Sequence, residues 1–367
     1  MRARFLDSYD ELPEPALRWL AQASADGLFQ SLPWLRACAA QGLWPGQQIR
    51  LVLVEPASAD QVAPQALLPA VHSRNHVAHR GALLLNFVTS QALVYEPVVP
   101  SGMAPADADA LATAVLATIA DQHERYDVVR MDPLDPDSPF TAAIVPALRG
   151  AGWWVQALAA PGCRYVDVTT PGFQGFLAQR PRRLRETLEQ HTRLLLQGGR
   201  GHFEFPCTPE LLEEAWVRVE HVMQTTVASG EPLPPGTARA LMRVAAQAGS
   251  LRLGLFHLDG LPVAMQWWVL GGGGTAHCLR FWSPPARQAF PIDDVLTQLI
   301  VLCLIDGDHV ARLEFGDLSE AYARDWAPAA LARVGVLAFN RRSWRGLTGM
   351  ARHRIGSAFR NLLRRFF

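Results

Sequence analysis

The sequence predicts an α/β protein of two lobes, each a mixed central sheet flanked by helices. Three observations point there. The 367 residues exceed what one hydrophobic core ordinarily supports. Strand-like and helix-like periods alternate along the chain. The order then starts again after Ala159-Ala160-Pro161-Gly162-Cys163, where small residues and a Pro-Gly pair separate two finished runs. The predicted division is therefore 1–160 for the first lobe, 161–340 for the second and 341–367 for a basic tail.

In the first lobe a helical pattern from Leu12 to Cys38 precedes two strands, Ile49 to Val54 and Ala66 to Val71. Extended apolar runs follow at Leu83 to Val88 and Ala92 to Val99. An alanine-rich helix, Ala106 to Arg125, leads to a strand from Asp127 to Met131, a helix from Phe140 to Gly150 and a strand from Trp153 to Leu158. The second lobe opens with a strand from Arg164 to Val168 and a helix from Phe173 to Gln197. A strand from His202 to Phe205 and helices from Pro209 to Ala228 and Gly236 to Ala248 come next. Leu251 to Leu258 and Leu261 to Leu270 flank Asp259-Gly260, a dipeptide suited to the positive φ angles of a type I′ hairpin. Gly271 to Gly274 reverse the chain into a strand from Thr275 to Trp282. A helix from Ile292 to Asp306 and strands Val310 to Phe315 and Val334 to Phe339 close the lobe.

Composition removes several classes of function. Charge is balanced at 34 basic and 34 acidic residues, which argues against a surface built for DNA. No lysine occurs, so Schiff-base chemistry, a Walker-type phosphate lysine and a tuned lysine base are all excluded. Cys38, Cys163, Cys207, Cys278 and Cys303 are scattered and odd in number, unlike a disulfide framework or zinc knuckle. A reducing, cytoplasmic setting is the expectation, because no apolar leader or membrane-length run occurs. His72, His76 and His79 lack acidic partners and zinc spacing, so no metal is expected.

Phe173-Gln174-Gly175-Phe176-Leu177-Ala178 and the arginine-rich stretch from Arg180 to Arg193 open a series of landmarks. Leu251-Arg252-Leu253-Gly254, Asp259-Gly260-Leu261-Pro262-Val263-Ala264, Phe315-Gly316-Asp317 and Tyr322-Ala323-Arg324-Asp325-Trp326 continue it. In this order they resemble the acyltransferase lobe of the CelD-like and Fem-type group, which has two GNAT folds in tandem. The first lobe resembles that group through Phe29-Gln30-Ser31, Trp34 and Leu68-Pro69. The resemblance implies an acyl-CoA (acetyl-CoA) or aminoacyl-tRNA donor held near parted central strands and a helix N-terminus. It also implies an amine or hydroxyl acceptor on a cell-envelope or exopolysaccharide-related precursor. The chain departs from the pattern at Phe290-Pro291-Ile292-Asp293-Asp294, where two carboxylates replace the small-residue turn that would receive phosphates, and at Ala323, where the group has lysine. A catalytically degenerate scaffold or binding protein of polysaccharide assembly is the alternative.

Glu314, Asp317, Glu320, Tyr322 and Asp325 cluster at the carboxyl end of a predicted strand, where open α/β sheets commonly place ligands. Asp317 and Glu320 could take a proton from an amine and Tyr322 could return one to the leaving group. The competing reading is that these charges are solvated, with Glu320 and Asp325 pairing with Arg324. Arg280, Glu220 and Trp326 are the candidate substrate-binding residues. His277 and Arg280, three apart on a regular strand, are expected on opposite faces. His257 reads as a surface strand residue. Glu220 and His221 splay about 100° apart on a helix whose core face carries Trp216 and Val219, so they form no local dyad.

The tail from Arg341 carries eight arginines and no acid, with Ile355, Phe359, Leu362 and Phe366 at helical spacing. It reads as an amphipathic helix, suited either to an anionic membrane at the inner face of the cell or to packing on its own lobe.

Overall fold

The structure is a computed structural model and describes residues 1–23, 27–57, 66–76, 79–86, 97–99, 103–121, 126–229, 233, 236–284, 291–316 and 320–354. The first half runs β1 (Arg2–Leu6), α1 (Glu14–Ala23), α2 (Leu32–Gln41), β2 (Gln47–Glu55), β3 (Ala66–His76) and β4 (His79–Asn86). It continues with α3 (Pro105–Ala120), β5 (Val128–Leu134), α4 (Pro139–Gly150) and β6 (Trp153–Asp167). The second half runs α5 (Gly172–Ala178), α6 (Arg182–Thr192), β7 (Gly201–Glu204), α7 (Pro209–Thr225), β8 (Val227–Ala228), α8 (Thr237–Gln247), β9 (Leu251–Leu258) and β10 (Leu261–Leu270). Then come β11 (Thr275–Ser283), α9 (Ile292–Leu302), β12 (Arg312–Glu314), α10 (Glu320–Trp326) and β13 (Ala329–Asn340). A last helix covers 344–354.

The mixed α/β class predicted from the sequence is what folds. One sheet runs in the order β1-β2-β3-β4-β5-β13-β6-β12-β11-β10-β9-β7, with β8 paired to β11 off this path. Its two halves repeat one plan, an antiparallel series ending in a parallel step. That step joins β4 to β5 across α3 in the first half, and β11 to β12 across α9 in the second. The halves then exchange their last strands. β13, from the end of the second half, pairs with β5, while β6, from the end of the first, pairs with β12. β6 and β13 pair with each other along most of their length.

Residues 159–163, expected from the sequence to separate the two lobes, fall within this exchange. The segment lies inside the single strand β6, because the partner strand β13 supplies its hydrogen bonds through Ala160, Cys163 and Arg164. Two helix boundaries move. The predicted helix from Phe173 to Gln197 divides at Pro181, which lacks an N–H and disfavours a helical residue before it. The helix predicted through Ala228 stops at Thr225, and Val227–Ala228 pair with Trp282 and Ser283 of β11 instead. Their β-branched neighbours favour that extended state.

The second-half sheet is buried on both faces. On one side α5, α6, α9 and α10 contribute Phe173, Leu188, Leu296 and Trp326 to a core with Trp268 and Phe315. A Cβ on Gly254 would collide with Ile300, so only glycine lets α9 approach β9 this closely. On the other side α7 and α8 present Trp216, Val219 and Leu241, and α2 from the first half adds Trp34 and Cys38. Trp34 packs on Trp267 with ring centroids 6.4 Å apart. Burying such aromatic surfaces contributes on the order of 1.5–3 kcal/mol each, so the first half helps to hold the second together.

Candidate functional site

β11 and β12 lie parallel and pair at Thr275–Arg312, Ala276–Leu313 and His277–Glu314, and their described pairing ends there. Beyond His277 the β11 edge is taken over by a different segment. Phe281 donates its N–H to Ser229 Oγ at 2.9 Å and accepts from Ser229 N at 2.8 Å, next to β8. The described ladder thus ends at the carboxyl ends of two parallel strands, the usual position of a site in an α/β sheet.

His277 and Glu314 are the last pair of this ladder, with Nδ1 of the imidazole 3.1 Å from Glu314 Oε2. Burial works to raise the Glu314 carboxyl, but the His277 hydrogen bond and the charges of His277, Arg333 and Arg312 hold it below the usual carboxylate range. Cys163, next to this carboxylate, is pushed up to about 12 by burial and by the Glu314 charge, so it stays a thiol. Phe29 of the first half meets the imidazole edge-on at 5.3 Å. A Cβ on Gly271 would lie 2.5 Å from His277 Nε2, so the glycine makes room for the ring. The equivalent third pair of the first-half step is Leu85–Arg130, and Arg130 is bound to Asp132. The repeat thus carries this dyad in the second half, and its counterpart pair in the first half has no acid–base couple.

The structure overturns the expected placement of Arg280. Trp267 pairs with Arg280 and Trp268 with Cys278, so Leu279 is an inserted bulge residue that shifts the alternation by one. His277 and Arg280 consequently share a face, the one carrying Val269 and Trp267. Arg280 is buried, with its guanidinium 5.8 Å from the Trp282 ring centre. His257, expected at the surface, is also buried, 3.2 Å from Glu204. Its neighbours in β7 cover it.

Other nominated residues separate into two groups. Tyr322 and Trp326 share a face of α10 and converge on the start of α9. The Tyr322 hydroxyl donates to the Asp293 carbonyl at 3.1 Å and lies 2.6 Å from Thr297 Oγ1. Gln266 Nε2 donates to that same Thr297 oxygen at 2.6 Å, and Trp268 Nε1 donates to Gln266 Oε1 at 3.0 Å. Burial and the nearby Asp294 and Asp293 charges push the Tyr322 phenol well above its ordinary value. Trp326 is fully buried, stacks on Phe315, and donates Nε1 to Asp294 at 3.2 Å. Glu220 is exposed on α7 and faces away from the sheet. Glu320 opens α10, and Asp317 lies outside the described residues.

The first turn of α9 is where a GNAT-like site would receive donor phosphates. Here Asp293 and Asp294 occupy it, both with carboxyls raised, chiefly by burial. Asp294 takes the Trp326 N–H as its own partner. These residues do not fit a pyrophosphate group.

Residues 182–324 match the acetyltransferase (GNAT) domain family. The matched segment contains α9, β11, β12 and both residues of the His277–Glu314 dyad. No curated protein matches the sequence. Two solved structures share the fold across nearly the whole chain. One is the C-terminal domain (DUF2156) of a putative lysylphosphatidylglycerol synthetase from Agrobacterium fabrum, with a TM-score of 0.53 and 12% identity over 91% of this chain and 94% of that one. The other is L-PGS from Bacillus licheniformis, with a TM-score of 0.52 and 11% identity over 94% of this chain and 96% of that one. No helix among the described residues is long and apolar enough to cross a membrane, and none of their His, Cys, Asp and Glu side chains group as metal ligands.

The dyad was missed in the sequence because its members lie 37 positions apart. The one available signal was that each stands in a strand of a parallel step.

Proposed function

We propose that the protein transfers an acyl or aminoacyl group to an amine or hydroxyl of a cell-envelope precursor, with His277 and Glu314 handling the proton. The observation that carries this reading is that the dyad stands at the end of the parallel ladder inside the segment matching the GNAT domain. Glu314 accepts from His277 Nδ1–H, which leaves Nε2, the ring atom beside Gly271, to take a proton. As the acceptor nitrogen or oxygen bonds to the donor carbonyl carbon, its proton passes to Nε2. The bond from that carbon to the leaving oxygen or sulfur breaks, and the leaving atom takes the proton.

Two features favour an aminoacyl ester, such as aminoacyl-tRNA, over an acyl-CoA. The acids at the start of α9 do not suit a pyrophosphate, and Val227–Ala228 with Ser229 already occupy the β11 edge that a pantetheine arm would pair with. The description of the Agrobacterium relative as a putative lysylphosphatidylglycerol synthetase supports the same donor class, with a phospholipid acceptor placed ahead of an exopolysaccharide precursor.

The test is to incubate the purified protein with aminoacyl-tRNA or acetyl-CoA and phosphatidylglycerol vesicles or amino sugars, reading product by mass spectrometry. His277→Gln and Glu314→Gln are each expected to slow transfer by about 10²-fold or more. Undiminished transfer in both variants rejects the dyad, and loss only in Asp317→Ala or Glu320→Ala moves the base to Asp317 or Glu320. The locked Tyr322–Thr297–Gln266 network favours a second reading, a non-catalytic scaffold. Absence of product and of binding with every donor would support that one.

A further inference from the structure

The start of the tail is fixed on the first half by specific bonds. Asn340 Nδ2 donates to the Tyr126 carbonyl at 3.0 Å, and its Oδ1 accepts from Arg342 N at 2.9 Å. Ser343 donates to the Asp127 carboxylate and caps the helix 344–354 by accepting from Gly346 N. Met350 and His353 then pack on Phe339 and Trp154, which sets one face of this helix against the sheet.

The other face is fully outward. Trp344 is 79% exposed, the most exposed of the large apolar side chains described. Arg341, Arg342, Arg345, Arg352 and Arg354 are exposed around it, and 341–354 contain no acid. A solvated helix gains nothing from an exposed indole. An indole beside arginines matches the polar–apolar boundary of an anionic bilayer.

A cavity of about 490 Å³ opens beside Arg342, between the last turns of α3 and α4. Leu116, Ile119 and Trp153 line its apolar interior, with Ala117 and Ala147 at the sides. The carbonyl ends of both helices disfavour an anion there, so any negative head group has to be met by the arginines outside.

We propose that the end of the sheet where the start of this helix meets the cavity, at Arg342, docks the protein on an anionic phospholipid bilayer. Trp344 enters the head-group boundary, Arg341, Arg342 and Arg345 meet the phosphates, and one acyl chain of an anionic lipid enters the cavity. The apolar cavity favours lipid over RNA, which the arginines alone would also attract. The proposal stands independently of any transfer activity.

Sedimentation of the full chain with phosphatidylglycerol–phosphatidylcholine vesicles, against phosphatidylcholine alone, tests it. Binding is expected with the anionic vesicles only, and to fall as salt rises. Arg341→Gln, Arg342→Gln and Arg345→Gln should each weaken it about fivefold. Trp344→Ala and the cavity-filling Ala117→Phe should weaken it with circular dichroism unchanged, since both positions are exposed. Equal binding to both vesicle types, variants that sediment like the parent, or stronger retention on polyuridylate RNA would each overturn the proposal.

Discussion

His277 reaches Glu314 because two parallel strands bring the third residue of each ladder side by side, and Gly271 leaves space for the ring. Gly271→Ala should therefore push the imidazole away from Glu314. The expected result is a loss of transfer activity with a destabilisation of about 1–3 kcal/mol in denaturant melts. Asp294 illustrates the opposite electrostatic situation. Burial raises its carboxyl, so this group contributes stability that is fully present below its ordinary 3.8 and is lost as pH rises through the higher folded value. Asp294→Asn keeps an oxygen for Trp326 Nε1 and removes the buried charge. It should raise the melting temperature at neutral pH and lose that advantage in acid, which a pH series of thermal melts would show.

At the scale of elements, α9 is anchored to the sheet by polar as well as apolar contacts. Trp268, Gln266, Thr297 and Tyr322 form one chain of donors and acceptors between β10, α9 and α10. Gln266→Leu should cost about 1–3 kcal/mol, because it strands the Trp268 N–H and removes a partner of Thr297 in a buried setting. Elements with strong local signals were legible. The hairpin over β9 and β10 has the predicted strand bounds, and Asp259 and Gly260 take φ values of 51° and 82° as the turn requires. β8, α10 and the bulge at Leu279 were not, since each owes its form to a neighbour: β8 to the edge of β11, α10 to the α9 start, and the bulge to β10.

At the scale of the molecule, the exchange of β6 and β13 ties the two halves through backbone ladders. Trp34 and Cys38 from the first half lie in a core with residues of the second. Unfolding is accordingly expected as a single cooperative transition, with calorimetric and van't Hoff enthalpies equal. Two separated transitions in calorimetry would contradict this.

By itself the sequence determined the alternation of strands and helices, the hairpin, the exclusion of lysine chemistry and the acids at the start of α9, because each depends on residues near one another in the chain. Only the tertiary structure decided that His277 and Glu314 form a pair, that His277 and Arg280 share a face, and that Trp326 belongs to the core. Pairing across 37 residues depends on strand register, and register is set by ladders and packing that no local window contains.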